Sequence, residues 1–146
     1  METRPWHASY APGVPKSVNY EPHLLPGYLD QSARKFGNHA AVTFLNCRMN
    51  YRQLDEEVSR FAGALQGAGL QKGDRVGIQL PNLPQTVIAF YGTLRAGGVA
   101  VMTNPLYTPR EIEHQWSDAG CRIAVTTDFL YAKNVAGLRD RVPVET

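Results

Sequence analysis

The stretch LRAGGVAVMTNPLYTPRE, from Leu94 to Glu111, limits how this chain can fold more than any other. Leu94-Arg95-Ala96 closes an apolar helical pattern, and Gly97-Gly98 stops it, because glycine enters left-handed backbone without a Cβ clash. Val99 to Thr103 is too short and too apolar for a helix and reads as a buried strand. Asn104 to Tyr107 is a loop. Thr108, Pro109 and Glu111 then supply an N-cap, a proline at the first helical position and a capping glutamate, the strongest helix start in the sequence. Helix, strand and helix joined this tightly demand parallel strands crossed over by helices.

The same alternation runs along the rest of the chain. Leu25, Tyr28, Leu29 and Phe36 predict a helix over 24–36, with Pro26 tolerated in its first turn and Gly37 as its stop. Residues 41–45 and 47–49 predict a hairpin around Asn46. Leu54, Val58, Phe61, Ala62, Leu65 and Ala68 recur at three- and four-residue steps, which gives a helix one apolar stripe; Asn50 and Gln53 form a capping pair at its start. Gly67 and Gly69 end it, and Gly73-Asp74 turn the chain into a strand over 75–80. Asn82 is expected to cap the next helix, through Val87, Phe90, Tyr91 and Leu94. The helix after Thr108 turns Ile112, Trp116 and Ala119 inward and stops at Gly120. A strand over 122–127 and a helix over about 129–138 follow. Residues 1–23 hold Pro5, Pro12, Pro15, Pro22 and Gly13 without an apolar period, so they read as an extended arm with Trp6 and Tyr10 as anchors. Residues 24–146 then form an α/β subdomain, a largely parallel sheet with helices on both faces.

Composition removes several function classes. Lysine plus arginine total 15 against 13 aspartates and glutamates, a net charge of +2 with the basic residues scattered singly. That balance gives no footprint for nucleic acid. Cys47 and Cys121 have no paired spacing, so neither a zinc site nor a disulfide framework is expected and a reduced, cytoplasmic setting fits best. No segment approaches the ~18 uninterrupted apolar residues of a membrane span. A peripheral contact with the inner face of a membrane is left open, since no strongly basic amphipathic face demands one.

Ligands of open α/β sheets gather beyond the carboxyl ends of the strands. Those ends carry Pro81-Asn82, Thr103-Asn104-Pro105 and Thr126-Thr127-Asp128. Asn82, Asn104 and Tyr107 are the candidates for a strand-end cleft. Asparagine also caps helices and turns for local reasons, and Tyr107 could simply pack on the next helix. Gly67 to Gly73 mimics a dinucleotide fingerprint but joins helix to strand, the wrong way round to present a helix N-terminus to phosphate. His7, His23, His39 and His114 are too dispersed for a metal site. Asp55, Glu56 and Glu57 read as a solvated face near a helix start, and no nucleophile and base stand out as a catalytic set.

Beyond these patterns, nearly the whole chain resembles the long-chain fatty acid–CoA ligases of the adenylate-forming superfamily. The residues that carry the resemblance are Arg4-Pro5-Trp6, Pro12 to Pro15, Tyr51 to Leu54, Gly69 to Val76, Leu80-Pro81-Asn82 and, most specifically, Leu94 to Gln115. Asn50 departs from the pattern, standing where relatives often have threonine or serine, and either type can cap. The resemblance implies the N-terminal portion of an enzyme that spends ATP, with Mg²⁺, to turn a fatty acid into an acyl-adenylate and then an acyl-CoA. It makes an acyl path the functional reading for Tyr107. The family's serine-, threonine- and glycine-rich loop, its later threonine–glutamate pair, its ribose-binding aspartate and its C-terminal lysine have no counterpart in residues 1–146. No catalytic, metal or cofactor residue therefore carries over, and this chain alone is expected to be inactive. Its expected partners are the rest of the ligase and the fatty acid. A free-standing nucleotide-binding module and a self-associating piece or homodimer are the alternatives.

Overall fold

In the computed structural model, which describes residues 4–146, the elements follow the expected order. They are α1 (Leu25–Phe36), β1 (Ala40–Phe44), β2 (Cys47–Asn50), α2 (Tyr51–Gly67), β3 (Arg75–Gln79), α3 (Pro84–Arg95), β4 (Val99–Met102), α4 (Pro109–Ala119) and β5 (Cys121–Thr126). β1 and β2 form a separate antiparallel hairpin. The main sheet is parallel, in the order β4-β3-β5. β3 pairs with β4 from Arg75–Val99 to Ile78–Met102, and with β5 from Arg75–Cys121 to Gln79–Thr126.

Side chains alternate across the central strand, and each face buries a different set. On one face Val76, Ile78 and Leu80 meet Ile123, Leu65 of α2 and Ala89 of α3. On the other, α4 delivers Ile112 and Trp116 onto Cys121, Val135 and Leu138. A third cluster, Leu29, Leu54 and Val58, joins α1 and α2 to the hairpin through Met49 and to α3 through Ile88. Both faces of the sheet are thus covered by helices, as a parallel sheet requires.

Local chemistry sets the boundaries. The Asn50 side-chain carbonyl accepts the Gln53 N–H at 2.8 Å, while the Gln53 side chain accepts the Asn50 N–H at 2.9 Å. Such a box is worth about 1 kcal/mol. At α4 the Glu111 carboxylate accepts both the Thr108 N–H at 2.8 Å and the Thr108 hydroxyl at 2.7 Å. Gly97, at φ +90°, reverses the chain between α3 and β4, and its carbonyl accepts the Gly73 N–H at 2.9 Å.

Three sequence expectations are corrected. Asn82 does not cap α3; Leu83 is the N-cap, and the Thr86 hydroxyl lies 3.4 Å from the Leu83 N–H. The segment after β5 is not one regular helix. It passes from an α turn (Asp128–Leu130) through a π turn (Tyr131–Val135) to a 3-10 turn (Ala136–Leu138). The buried residues explain this: Leu130 and Val135 are five apart, and a widened turn aligns them on one face. The arm also contains a 3-10 turn, Pro5–Ser9, and both Trp6 and Tyr10 are exposed.

Two predictions follow from this packing. A Cβ at Gly77 would stand 2.8 Å from the Trp116 ring, so Gly77→Ala is expected to cost on the order of 1–3 kcal/mol in urea unfolding. The Thr108 backbone N–H, and then its hydroxyl, hold the Glu111 carboxyl below its ordinary value. The cap is therefore at full strength above the unfolded glutamate pKa of about 4.3 and is lost as pH falls through the lower folded value. The Thr108 amide resonance should report that loss, and Glu111→Gln should abolish its titration.

The strand-end cavity and the relatives of the chain

Because β3, β4 and β5 are parallel, their carboxyl ends share one edge of the sheet. The loop after β3 leads to α3, whose Ala89 packs on one face, and the loop after β4 leads to α4, whose Trp116 packs on the other. The chain divides here as it does at the ligand crevices of open α/β sheets. Beside β5 at this edge lies a cavity of about 610 Å³, walled by Phe44 of β1, Cys47 of β2, Phe61 of α2, Leu83, Ile88 of α3 and Val125. Its remaining lining is apolar too, apart from Gln85, Thr126 and Thr127.

Gln79, the last residue of β3, is fully buried, and its amide nitrogen finds no partner among the described residues. Its carbonyl oxygen lies 3.4 Å from the Thr126 hydroxyl. An unpartnered buried donor costs about 1–3 kcal/mol, so this end of the central strand is polar without being satisfied. Sequence reasoning passed over Gln79, although a glutamine inside the apolar strand VGIQL was the available signal.

The sequence candidates fall as follows. Asn82 is exposed just beyond β3, and Asn104 is exposed just beyond β4. The Asn104 side chain is engaged locally: it accepts the Leu106 N–H at 2.9 Å while its backbone carbonyl accepts the Tyr107 N–H at 3.0 Å. Tyr107 is half-buried and packs on the Ile112–Trp116 cluster. The structure thus puts the two asparagines on one edge of the sheet and turns Tyr107 against α4.

Two charge networks escaped sequence reasoning. Arg95, at the end of α3, pairs with Asp30 of α1 and with Asp55 of α2 at 2.7 Å, and donates to the Ser59 hydroxyl at 2.7 Å. Asp55 is therefore a partner of Arg95 and not merely part of a solvated face. Arg122 of β5 joins Asp74, before β3, to Glu145, each at 2.7 Å. Asp74 also accepts the Gln71 N–H at 2.9 Å, which gives the Gly-Asp-Arg-Val segment a structural task. The hydrogen bond from Arg122, and then its charge, hold the Glu145 carboxyl below its usual range.

This architecture is that of part of the N-terminal domain of adenylate-forming enzymes. A profile of the AMP-binding enzyme family matches residues 29–146, and the chain belongs to that family. Within it, the chain is similar to the long-chain-fatty-acid–CoA ligase of Bacillus subtilis, 40% identical over 90% of this chain. It spans only 24% of that relative's length. Among solved structures, a long-chain-fatty-acid-CoA ligase from Archaeoglobus fulgidus superposes over 93% of this chain and 29% of its own, at a TM-score of 0.81 and 28% identity. An inhibitor-bound N-terminal domain of a Mycobacterium tuberculosis protein, FACL13, superposes over 78% of this chain and 29% of its own, at a TM-score of 0.72 and 28% identity.

The cysteines offer a direct check on the cavity wall. Cys47 is exposed, whereas Cys121 is buried and burial pushes its thiol up to about 11. In mildly alkaline buffer the native protein should take up a thiol reagent at Cys47 alone. Cys121 should react only after unfolding.

Proposed function

We propose that this chain is the opening portion of a fatty acid–CoA ligase that joins a long-chain fatty acid to coenzyme A through an acyl-adenylate, with release of AMP and pyrophosphate. The observation that carries the reading is the 40% identity to the B. subtilis ligase over 90% of the chain. In this reading residues 1–23 are an arm and residues 24–146 the first α/β subdomain, and the family match from residue 29 supports that division. Asn82 and Asn104 stand at the strand-end edge of the nucleotide and acyl clefts, and the apolar cavity beside them is one wall that the rest of the enzyme closes.

Family membership implies use of ATP; Mg²⁺ and coenzyme A belong to the proposal. The cavity is a poor fit for a triphosphate, because no lysine or arginine lines it. Among the described residues no cluster of three or more metal-ligating side chains could hold a metal ion. In this reading the phosphates are bound and neutralised elsewhere in the enzyme, and this portion serves as scaffold. No helix among the described residues is long and apolar enough to cross a membrane. We propose a cytoplasmic enzyme with peripheral access to the inner face of the membrane, where its apolar substrate partitions.

The test is fatty-acid-dependent AMP formation. The whole ligase is expected to form AMP and acyl-CoA from long-chain fatty acids, while residues 1–146 alone form none and bind ATP without saturation. Turnover by residues 1–146 alone would overturn the scaffolding role. A whole enzyme active only on other carboxylic acids would overturn the substrate class.

A further inference from the structure

Nine of the fifteen large apolar side chains exposed among the described residues lie between Trp6 and Phe36. They belong to two connected pieces. Residues 10–24 contain neither helix nor strand and are exposed throughout, with Tyr20 at 84% and Leu24 at 83%. In α1, which follows, Leu25, Tyr28 and Phe36 share the apolar face of Leu29 by the helical period, yet only Leu29 is buried. The rings of His23 and Tyr28, with centroids 5.2 Å apart, join the two pieces. We propose that this arm and the uncovered face of α1 form one lipid-docking surface, which seats at the headgroup level of an anionic bilayer. The inference names the surface for the peripheral membrane access proposed above, and it rests on that reading.

Three observations commit the surface to lipid. The first is side-chain chemistry. Trp6, Tyr10, Tyr20 and Tyr28 are exposed, and each is an apolar body with a polar tip, the type that settles at a membrane–water interface. The second is charge. Residues 4–36 carry the cations Arg4, Lys16, Arg34 and Lys35 against the acids Glu21 and Asp30, and Asp30 is already paired with Arg95 of α3. The Lys35 ammonium lies 5.1 Å from the centroid of the Phe36 ring, at the border of the apolar face. From there its stem can lie on lipid while its charge reaches an anionic headgroup. The third is shape. A protein partner is held by pockets that enclose a few anchors, and an extended segment exposed at every residue offers none. A bilayer interface asks only for apolar area and positive charge.

Trp6 supplies the probe. It is exposed, whereas Trp116, the other tryptophan of the chain, is wholly buried, so a change of emission on docking reports Trp6. The chain would be titrated with vesicles of phosphatidylcholine alone and of phosphatidylcholine mixed with phosphatidylglycerol, with light scattering on the protein without lipid. No ATP, coenzyme A or fatty acid is present, so failure here and failure of the ligase assay are told apart. The mixed vesicles are expected to give a saturable blue shift that Trp6→Phe removes. Changing Tyr20, Leu24 and Tyr28 together to serine should weaken that binding at least about tenfold, since three exposed side chains no longer leave water. All three lie outside the core, so the emission of Trp116 should not move. Lys16→Gln and Lys35→Gln should each weaken binding to the mixed vesicles about fivefold. Absence of a Trp6 shift with the mixed vesicles would overturn the proposal, as would a shift that the triple variant retains in full. So would a dimer in scattering that shields Trp6 without lipid, which would make a second copy the occupant.

Discussion

The contact between the Trp116 ring and the bare backbone of Gly77 is the constraint on which the sheet depends. Trp116 is wholly buried, and it lies so close over the middle of the central strand that no side chain fits beneath it. Its indole N–H donates at 2.8 Å to the Thr103 hydroxyl, just past β4, and the Thr103 N–H in turn donates to the Ile78 carbonyl at 2.9 Å. One aromatic residue on α4 thus fixes the height of that helix over β3 and holds the end of β4 to its neighbour. An aromatic ring supplies a large buried area and a single polar atom, so its position is specified by both packing and a hydrogen bond.

Charge completes what packing begins, at the places where the crossovers must be tied together. Arg95 gathers α1, α2 and α3 at one corner, with its side chain only 20% exposed. Arg122 links the turn before β3 to the segment beside β5. The two sites differ in exposure: the Arg122 side chain is 40% exposed and that of Glu145 64%, so solvent screens that pair and it adds little to stability. The planar guanidinium suits both positions, since each arginine serves acceptors lying in different directions.

The fold was largely legible in the sequence because its signals are local. Thr108-Pro109-Glu111 and Asn50-Gln53 mark helix starts through hydrogen bonds spanning three residues, and Gly97 and Gly120 mark ends through backbone that other residues enter only with strain. Failures came where distant residues decide. Asp55 looked like one of three acids on a wet helix face, and only the fold brings Arg95 to it across forty positions of sequence. The π turn after β5 follows from which residues the core needs, Leu130 and Val135, and not from any propensity of Tyr131 to Val135. At the candidate site, the strand ends could be read from the alternation of elements. The unpaired amide of Gln79 could not, because an orphaned donor is defined by what surrounds it.

The two edges of the sheet carry different amounts of information, and this separates what the fold specifies from what it merely leaves open. β4 exposes Val99 and Met102, and nothing in the structure indicates what would cover them. β5 has the chain's own Glu145 and Thr146 hydrogen-bonded to Arg122 and Ala124, and an ion pair from Arg122 to Glu145. An open strand edge is costly to leave unprotected, since it pairs with whatever extended chain it meets. The Arg122–Glu145 clamp keeps the chain's own Glu145 and Thr146 on the start of that edge. Among the described residues the parallel sheet thus grows outward from β3 in chain order, with β4 on one side and β5 on the other.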